Sequence, residues 1–274
     1  MIPLCNLHTH TVFCDGKNTP EEMVLSAVKL GCQTLGFSGH APASALWGHE
    51  SWCMNAETFQ AYWKEIQSLK NKYRDSVEIL CGVELDYYSD PLLVKPDYII
   101  GSVHQIKKED KQLPIDAEPQ LLSDGISTMF DGDVLAFAKQ YYELVSHVVL
   151  QTKCDIVGHF DLLTKFNEHS RYLDETDARY RSLACEALDT VLEKDVFFEI
   201  NTGAISRGWK QSPYPSPFLL KRIVEKQGRL VLNSDAHTAD ALLCGFAEAV
   251  ELARSCGVRE LWVIKSGKFV PFAI

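Results

Sequence analysis

The feature that most constrains this chain is a rhythm. Short apolar runs recur from one end to the other, at residues 3–8, 34–38, 77–83, 98–103, 155–158, 196–200, 229–233 and 260–264. Most are apolar throughout rather than at alternate positions, the pattern of strands buried on both faces of a parallel sheet. Helical stretches with readable ends lie between them. Thr19-Pro20-Glu21-Glu22 forms a capping box with proline at the first helical position. Val24, Ala27 and Val28 keep helical spacing behind it, and Gly31 supplies the stop. Further helices are expected over 56–72, with Asn55 as cap, over 133–149 and over 177–193. Another is opened by Ser216-Pro217 and closed by Gly228, and a last one is capped by Thr238 and ends near Gly257. Strand and helix in alternation imply a parallel α/β architecture, closed or open. No linker rich in Gly, Ser or Pro interrupts it, so one domain is expected over residues 1–274. The stretch 105–132 breaks the rhythm. It carries Lys107-Lys108-Glu109-Asp110-Lys111, two prolines and little periodicity. It reads as an inserted loop, and loops of that length in compact domains are usually functional or disordered.

A chain of 274 residues suits one α/β barrel. Lys and Arg number 27 against 37 Asp and Glu, a net charge of −10. That balance argues against nucleic acid and against a membrane surface as partners. A small phosphorylated substrate stays compatible, because bound metal reverses the local sign. The nine cysteines are scattered with no C-x-x-C pair. They read as small buried hydrophobes in a reducing cytoplasm. No leader is evident at the N-terminus, and no apolar run approaches the length of a membrane span.

Most of the histidines fall at the ends of the apolar runs. The first leads into His8-Thr9-His10, with Asp15 following; the second ends at His40, the third at Glu84 and the fourth at His104. The run at 155–158 leads into His159, and that at 229–233 into Asp235-Ala236-His237. The C-terminal ends of parallel barrel strands form the active face, so residues distant in sequence converge on one rim. Two residues apart on an extended strand point the same way, so His8 and His10 can grip one ion together, and Asp235 with His237 repeats the geometry. Imidazole with carboxylate suits zinc, manganese and iron alike. Nine ligands exceed what one ion takes and suit two or three. His49, His147 and His169 are isolated and read as structural. No G-x-S-x-G, G-x-G-x-x-G or P-loop occurs, so neither a serine nucleophile nor a nucleotide cofactor is indicated.

The order His8-Thr9-His10, Asp15-Gly16, Gly39-His40, Glu84, Gly101-Ser102-Val103-His104, Gly158-His159-Phe160-Asp161, Glu199-Ile200-Asn201-Thr202 and Ser234-Asp235-Ala236-His237 resembles the polymerase and histidinol phosphatase (PHP) family, in its histidinol-phosphatase branch. The resemblance implies a distorted (β/α)7 TIM-like barrel with a trinuclear metal centre. It places one ion on His8, His10, Glu84 and Asp235, and a second on Glu84, His104 and His159, with Glu84 bridging. A third falls to Asp15, His40 and His237. Some family members have His where this chain has Asp15.

The same resemblance implies a metal-dependent phosphatase acting on L-histidinol phosphate in histidine biosynthesis. Arg207 is then a phosphate ligand, against the plain reading of a surface arginine. Asp116 is either a contact for the cationic amine or imidazole of the substrate or a solvated loop carboxylate. Asp161 shares a strand face with His159 and either orients a ligand or donates a proton. Two alternatives stand beside this reading. One is action on another small phosphomonoester or phosphodiester; the other is a metal-bound regulatory module without catalysis.

Overall fold

The computed structural model describes residues 1–170 and 172–274, without the side chains of His169 and Ser170. The strands are β1 (Cys5–Asn6), β2 (Thr34–Phe37), β3 (Glu78–Cys81), β4 (Val83–Asp86), β5 (Ile99–Ser102), β6 (Gln105–Lys108), β7 (Lys111–Pro114), β8 (Ile156–Val157), β9 (Phe197–Asn201), β10 (Arg229–Asn233), β11 (Glu260–Lys265) and β12 (Lys268–Ala273). The helices are α1 (Pro20–Lys29), α2 (Ala56–Lys72), α3 (Pro119–Phe130), α4 (Val134–Thr152), α5 (Asn167–Ser170), α6 (Ala178–Leu192), α7 (Gly203–Ser206), α8 (Pro217–Glu225) and α9 (Phe246–Ser255).

Two parallel ladders, β1-β2-β3 and β10-β9-β8-β5-β4, make up the barrel wall. They meet at two places. His40 pairs with Glu84 in a parallel bridge, and Thr9 pairs with Ala236 in another. At the second join the His10 amide donates to the Ala236 carbonyl and the Ala236 amide to that of His8. The wall therefore closes on itself in an α/β barrel of TIM type. β3 and β4 share one wall position. β3 pairs with β2 on one side and β4 with β5 on the other, with Gly82 between them.

Gly82 is demanded by packing. A Cβ there would stand 2.4 Å from the ring of Tyr98. That ring lies fully buried in the lower barrel, its hydroxyl donating to the Leu7 and Phe37 carbonyls. Around it the barrel interior is filled by Leu7, Leu80, Ile100, Ile156 and Val231. The bottom is plugged from below by the antiparallel β11–β12 hairpin, whose Phe269 stacks on Phe197 with ring centroids 4.0 Å apart.

Three sequence expectations change. The run at 260–264 is not another parallel wall strand but half of that hairpin. The stretch 105–132 is not a loop. It folds as the antiparallel hairpin β6–β7 followed by α3. The last helix starts at Phe246 rather than after Thr238, because a short 3-10 turn at Ala239–Ala241 and a left-handed Gly245 intervene. The capping box of α1 forms as read, with Thr19 accepting from the Glu22 amide and Glu22 reaching back to the Thr19 amide.

Candidate metal centre

The strand ends converge. β1 delivers His8 and His10 and, through the following turn, Asp15. β2, β4, β5, β8 and β10 deliver His40, Glu84, His104, His159 and the Asp235/His237 pair. Four overlapping groups have donor atoms mutually within 4.8 Å: His10-Asp15-His40-His237, His8-Glu84-His159, His8-His10-Asp235 and His40-Glu84-His104. Together they contain all nine residues singled out in the sequence. His10 Nδ1 lies 3.4 Å from Asp15 Oδ1 and its ring stacks on that of His237, so His10 belongs to two of the groups, and His40 faces both Asp15 and Glu84.

Glu84 is the hub. Its Oε2 faces His8 Nε2 at 3.1 Å, His40 Nδ1 at 3.1 Å and His10 Nε2 at 3.5 Å. Its Oε1 faces His159 Nε2 at 3.1 Å and His104 Nε2 at 3.4 Å. Asp235 Oδ1 lies 3.3 Å from His10 Nε2 and 3.6 Å from His8 Nε2.

The donor set fits metal ions on two counts. First, His8 Nε2, His10 Nε2, His40 Nδ1, Glu84 Oε2 and Asp15 Oδ1 are buried without a hydrogen-bond partner among the described residues. Buried polar atoms left unmatched are costly unless something else satisfies them. Second, the field calls for cations. Burial pulls the His8 imidazole down, yet Glu199, Glu84 and Asp235 together push it up to about 10. His10 and His104 are raised against burial in the same way, whereas at His40 burial prevails and holds it at about 3. Burial likewise pushes the Glu84, Asp15 and Asp235 carboxyls up, and neighbouring cationic groups bring all three well below the carboxylate range.

A second layer of carboxylates orients the imidazoles. Glu199 Oε1 stands 2.7 Å from His8 Nδ1, while its Oε2 accepts from the His159 amide at 2.9 Å. Asn201 and Asn233 complete its shell, so one buried carboxylate ties together two imidazole-bearing strands. Asp86 Oδ2 plays the same part for His104, at 3.2 Å from Nδ1 and 2.7 Å from the amide. Such carboxylate–imidazole pairs set the tautomer and turn the other ring nitrogen towards a metal. The sequence displayed Glu199 only inside a motif, and no spacing pointed to Asp86.

Above the cluster opens a cleft of about 320 Å³, the scale of a small-molecule site. Arg207 and Asp116 both line it. The Arg207 guanidinium is locked by Asp235 Oδ2 at 2.9 Å and reaches His237 Nδ1 at 2.9 Å. Burial pushes the Asp116 carboxyl up, but Lys165, His104, His159 and Arg207 hold it at about 2. Its direct partner is Lys165, whose Nζ donates to the Asp116 carbonyl at 2.7 Å and lies 3.3 Å from Oδ2. Lys165 also lines the cleft, as do Trp47 and Trp52; none of the three stood out in the sequence.

Asp161 is placed differently from its sequence expectation. It is absent from the cleft lining, and its Oδ2 accepts from the amide and hydroxyl of Ser216, fixing the turn before α8. The isolated histidines stay apart. His49 Nδ1 contacts the Leu46 carbonyl and His147 Nδ1 that of Glu143, while the side chain of His169 lies outside the described residues.

The PHP domain model matches residues 6–203. The chain belongs to the PHP domain family. Among curated relatives of this PHP-domain chain, the probable histidinol-phosphatase of Deinococcus radiodurans is 29% identical over 271 residues, covering 94% of this chain and 96% of that one. The histidinol-phosphatase of Bacillus subtilis is 27% identical, covering 85% and 92%. The solved structure of histidinol phosphate phosphatase from Lactococcus lactis, complexed with zinc, L-histidinol and phosphate, superposes with a TM-score of 0.69 at 22% identity, covering 97% and 98%.

Proposed function

We propose that this metal-dependent phosphoesterase of the PHP family hydrolyses L-histidinol phosphate to L-histidinol and phosphate. The observation that carries the reading is the convergence of nine imidazole and carboxylate residues, with Glu84 among them facing five imidazoles, beneath a cleft lined by Arg207, Lys165 and Asp116. Curated relatives named histidinol-phosphatase, similar over most of the chain, support it.

His8, His10, Glu84 and Asp235 would hold one divalent ion, Glu84, His104 and His159 a second, and Asp15, His40 and His237 a third. Zinc, manganese and iron all suit these donors. When bound, such ions supply Lewis acidity, drawing charge from phosphoryl oxygens and rendering water nucleophilic near neutral pH. The protein does the rest. Glu199 and Asp86 hold His8 and His104 in one tautomer. Arg207, kept in place by Asp235 and His237, would turn its remaining N–H groups to the phosphoryl oxygens and offset charge that grows in the transition state. Asp116 stands as the anionic partner for a cationic group of the alcohol, with Lys165 as its companion in the free enzyme. The chain's net charge of −10 disfavours a nucleic-acid substrate.

The test is steady-state phosphate release from L-histidinol phosphate beside sugar phosphates, nucleotides, a dinucleotide and a cyclic phosphodiester. L-histidinol phosphate should show the highest kcat/KM by at least tenfold. Preference for a diester or a sugar phosphate would overturn the assignment.

A further inference from the structure

The cleft has one wall whose construction the metal chemistry does not explain. Residues 42–54 follow β2 and carry Trp47 and Trp52. Trp52 leans on the metal cluster, its ring centroid 4.9 Å from that of His40 and 5.6 Å from that of His104. Trp47 also lines the cleft, yet it is 58% exposed. An aromatic that open on the wall of a cleft has its ring face free for a ligand.

Its exposure does not come from a loose loop. The Trp47 amide donates to Gln112 Oε1 at 2.7 Å, and its carbonyl accepts from Gln105 Nε2 at 2.8 Å. Two positions back, the Ala45 carbonyl accepts from Lys107 Nζ at 2.8 Å and Gln112 Nε2 at 3.1 Å. Every one of these tethers comes from the β6–β7 hairpin. The far side of the segment is held as well. Ser44 is bound twice by Asp90, and Ala43, Leu46 and Cys53 form a small core of their own, with Trp52 and Tyr88 packed against it. The hairpin that clamps Trp47 runs directly into Asp116, so the indole and the carboxylate are presented to the cleft by one tied unit.

We infer that Trp47 is a specificity-determining residue: an aromatic platform, tethered through its backbone, for the organic part of the phosphate ester. An indole on the same cleft as a carboxylate selects a flat or cationic group, through ring contact and cation–π attraction. The matching ester class is one whose alcohol carries an amine or a protonatable ring. The inference rests on the phosphatase reading above and deepens it. It also gives the 105–132 insertion a task, which is to hold the platform rather than to touch phosphate.

The experiment compares wild type, Trp47→Ala and Trp47→Phe on L-histidinol phosphate, glycerol phosphate, methyl phosphate and the rest of the phosphate-ester panel. Trp47→Ala should lower kcat/KM for L-histidinol phosphate by about tenfold, chiefly through KM, a size between those of an exposed and a desolvated cation–π contact. Trp47→Phe should recover most of that loss, with glycerol phosphate turnover and ion content unchanged throughout. An equal loss on both esters marks a structural role and overturns the inference, as does no loss on either. If wild type prefers another ester of the panel, the L-histidinol phosphate assignment fails by itself. The inference then stands only if that ester's alcohol carries a flat or cationic group and Trp47→Ala erases its advantage over methyl phosphate; otherwise it falls too. A wild type without preference among esters overturns it outright.

Discussion

At Arg207, proximity to the ligands and contact with substrate can be separated. Its guanidinium is paired with Asp235 Oδ2, on the side away from the oxygen that faces His8 and His10. Removing it takes a positive charge away from a cluster that binds cations, so Arg207→Ala should keep its metal complement. On the proposed reading, what it loses is a donor to the phosphoryl group. Turnover should fall by roughly 10²–10³-fold, the scale of one charge-stabilising donor. Elemental analysis beside phosphate-release kinetics checks this, and a variant that sheds metal in proportion to its lost rate would make Arg207 a support for Asp235 only. The residue scale is also where the sequence was most legible. All nine ligand candidates meet because each follows a strand that ends on the same rim. Asp116 and Arg207 reach the cleft from connecting segments, and there the sequence left alternatives open. Lys165, Trp47 and Asp86 carried no signal, since nothing local distinguishes a lysine after a turn or a tryptophan in a loop from ordinary surface residues.

Among the elements, those with strong local chemistry were readable and those set by tertiary context were not. α1 announces itself through Thr19, Pro20 and Glu22, each satisfying a backbone group at the helix start. β11 misled because its apolar run looks like a wall strand. Only the turn through Ser266 and Gly267, both at positive φ, folds it back on β12. β6 and β7 lacked a clear alternation, since Gln105, Lys107 and Gln112 serve the Trp47 segment and Lys108 and Lys111 reach carbonyls of α3 instead of filling a core. The kink between β3 and β4 is a further case where packing decides. Gly82→Ala forces a methyl group against the Tyr98 ring, which is itself held by two carbonyls. Overpacking of this kind costs about 1–3 kcal/mol. A urea midpoint lowered accordingly, with ion content retained, is the expected outcome; an unchanged midpoint would show that the ring can move.

For the molecule as a whole, the ligands come from strand ends all round the barrel, so the state of the cluster bears on global stability. In metal-free protein the carboxylates hold His8 at about 10 against an unfolded value of about 6.5. A raised pKa contributes stability that is full below about 6.5 and is lost as pH climbs towards 10. The depressed carboxylates Asp15, Glu84 and Asp235 contribute in the opposite sense. Their share is present above roughly 4 and is lost on acidification. His40, held at about 3 by burial, adds stability as pH rises to about 6.5, so chelator-treated protein should be most resistant to urea near pH 6.5 and should weaken from there to pH 10. Metal-loaded protein needs neutral imidazoles and should hold its midpoint across the upper window. A metal-free midpoint that rises from pH 6.5 to 10 would contradict the charge balance described for His8.

The ion count of Glu84→Gln tests the centre most directly. Five imidazoles face this one carboxylate, and the amide keeps its shape while removing the charge that offsets adjacent dications. Elemental analysis after identical metal loading should find about three ions per chain in wild type. The variant should have lost those of both sites that share Glu84, with a folded barrel by circular dichroism and almost no turnover. A Glu84→Gln protein with the wild-type ion count and wild-type rate would remove Glu84 from the centre of the cluster.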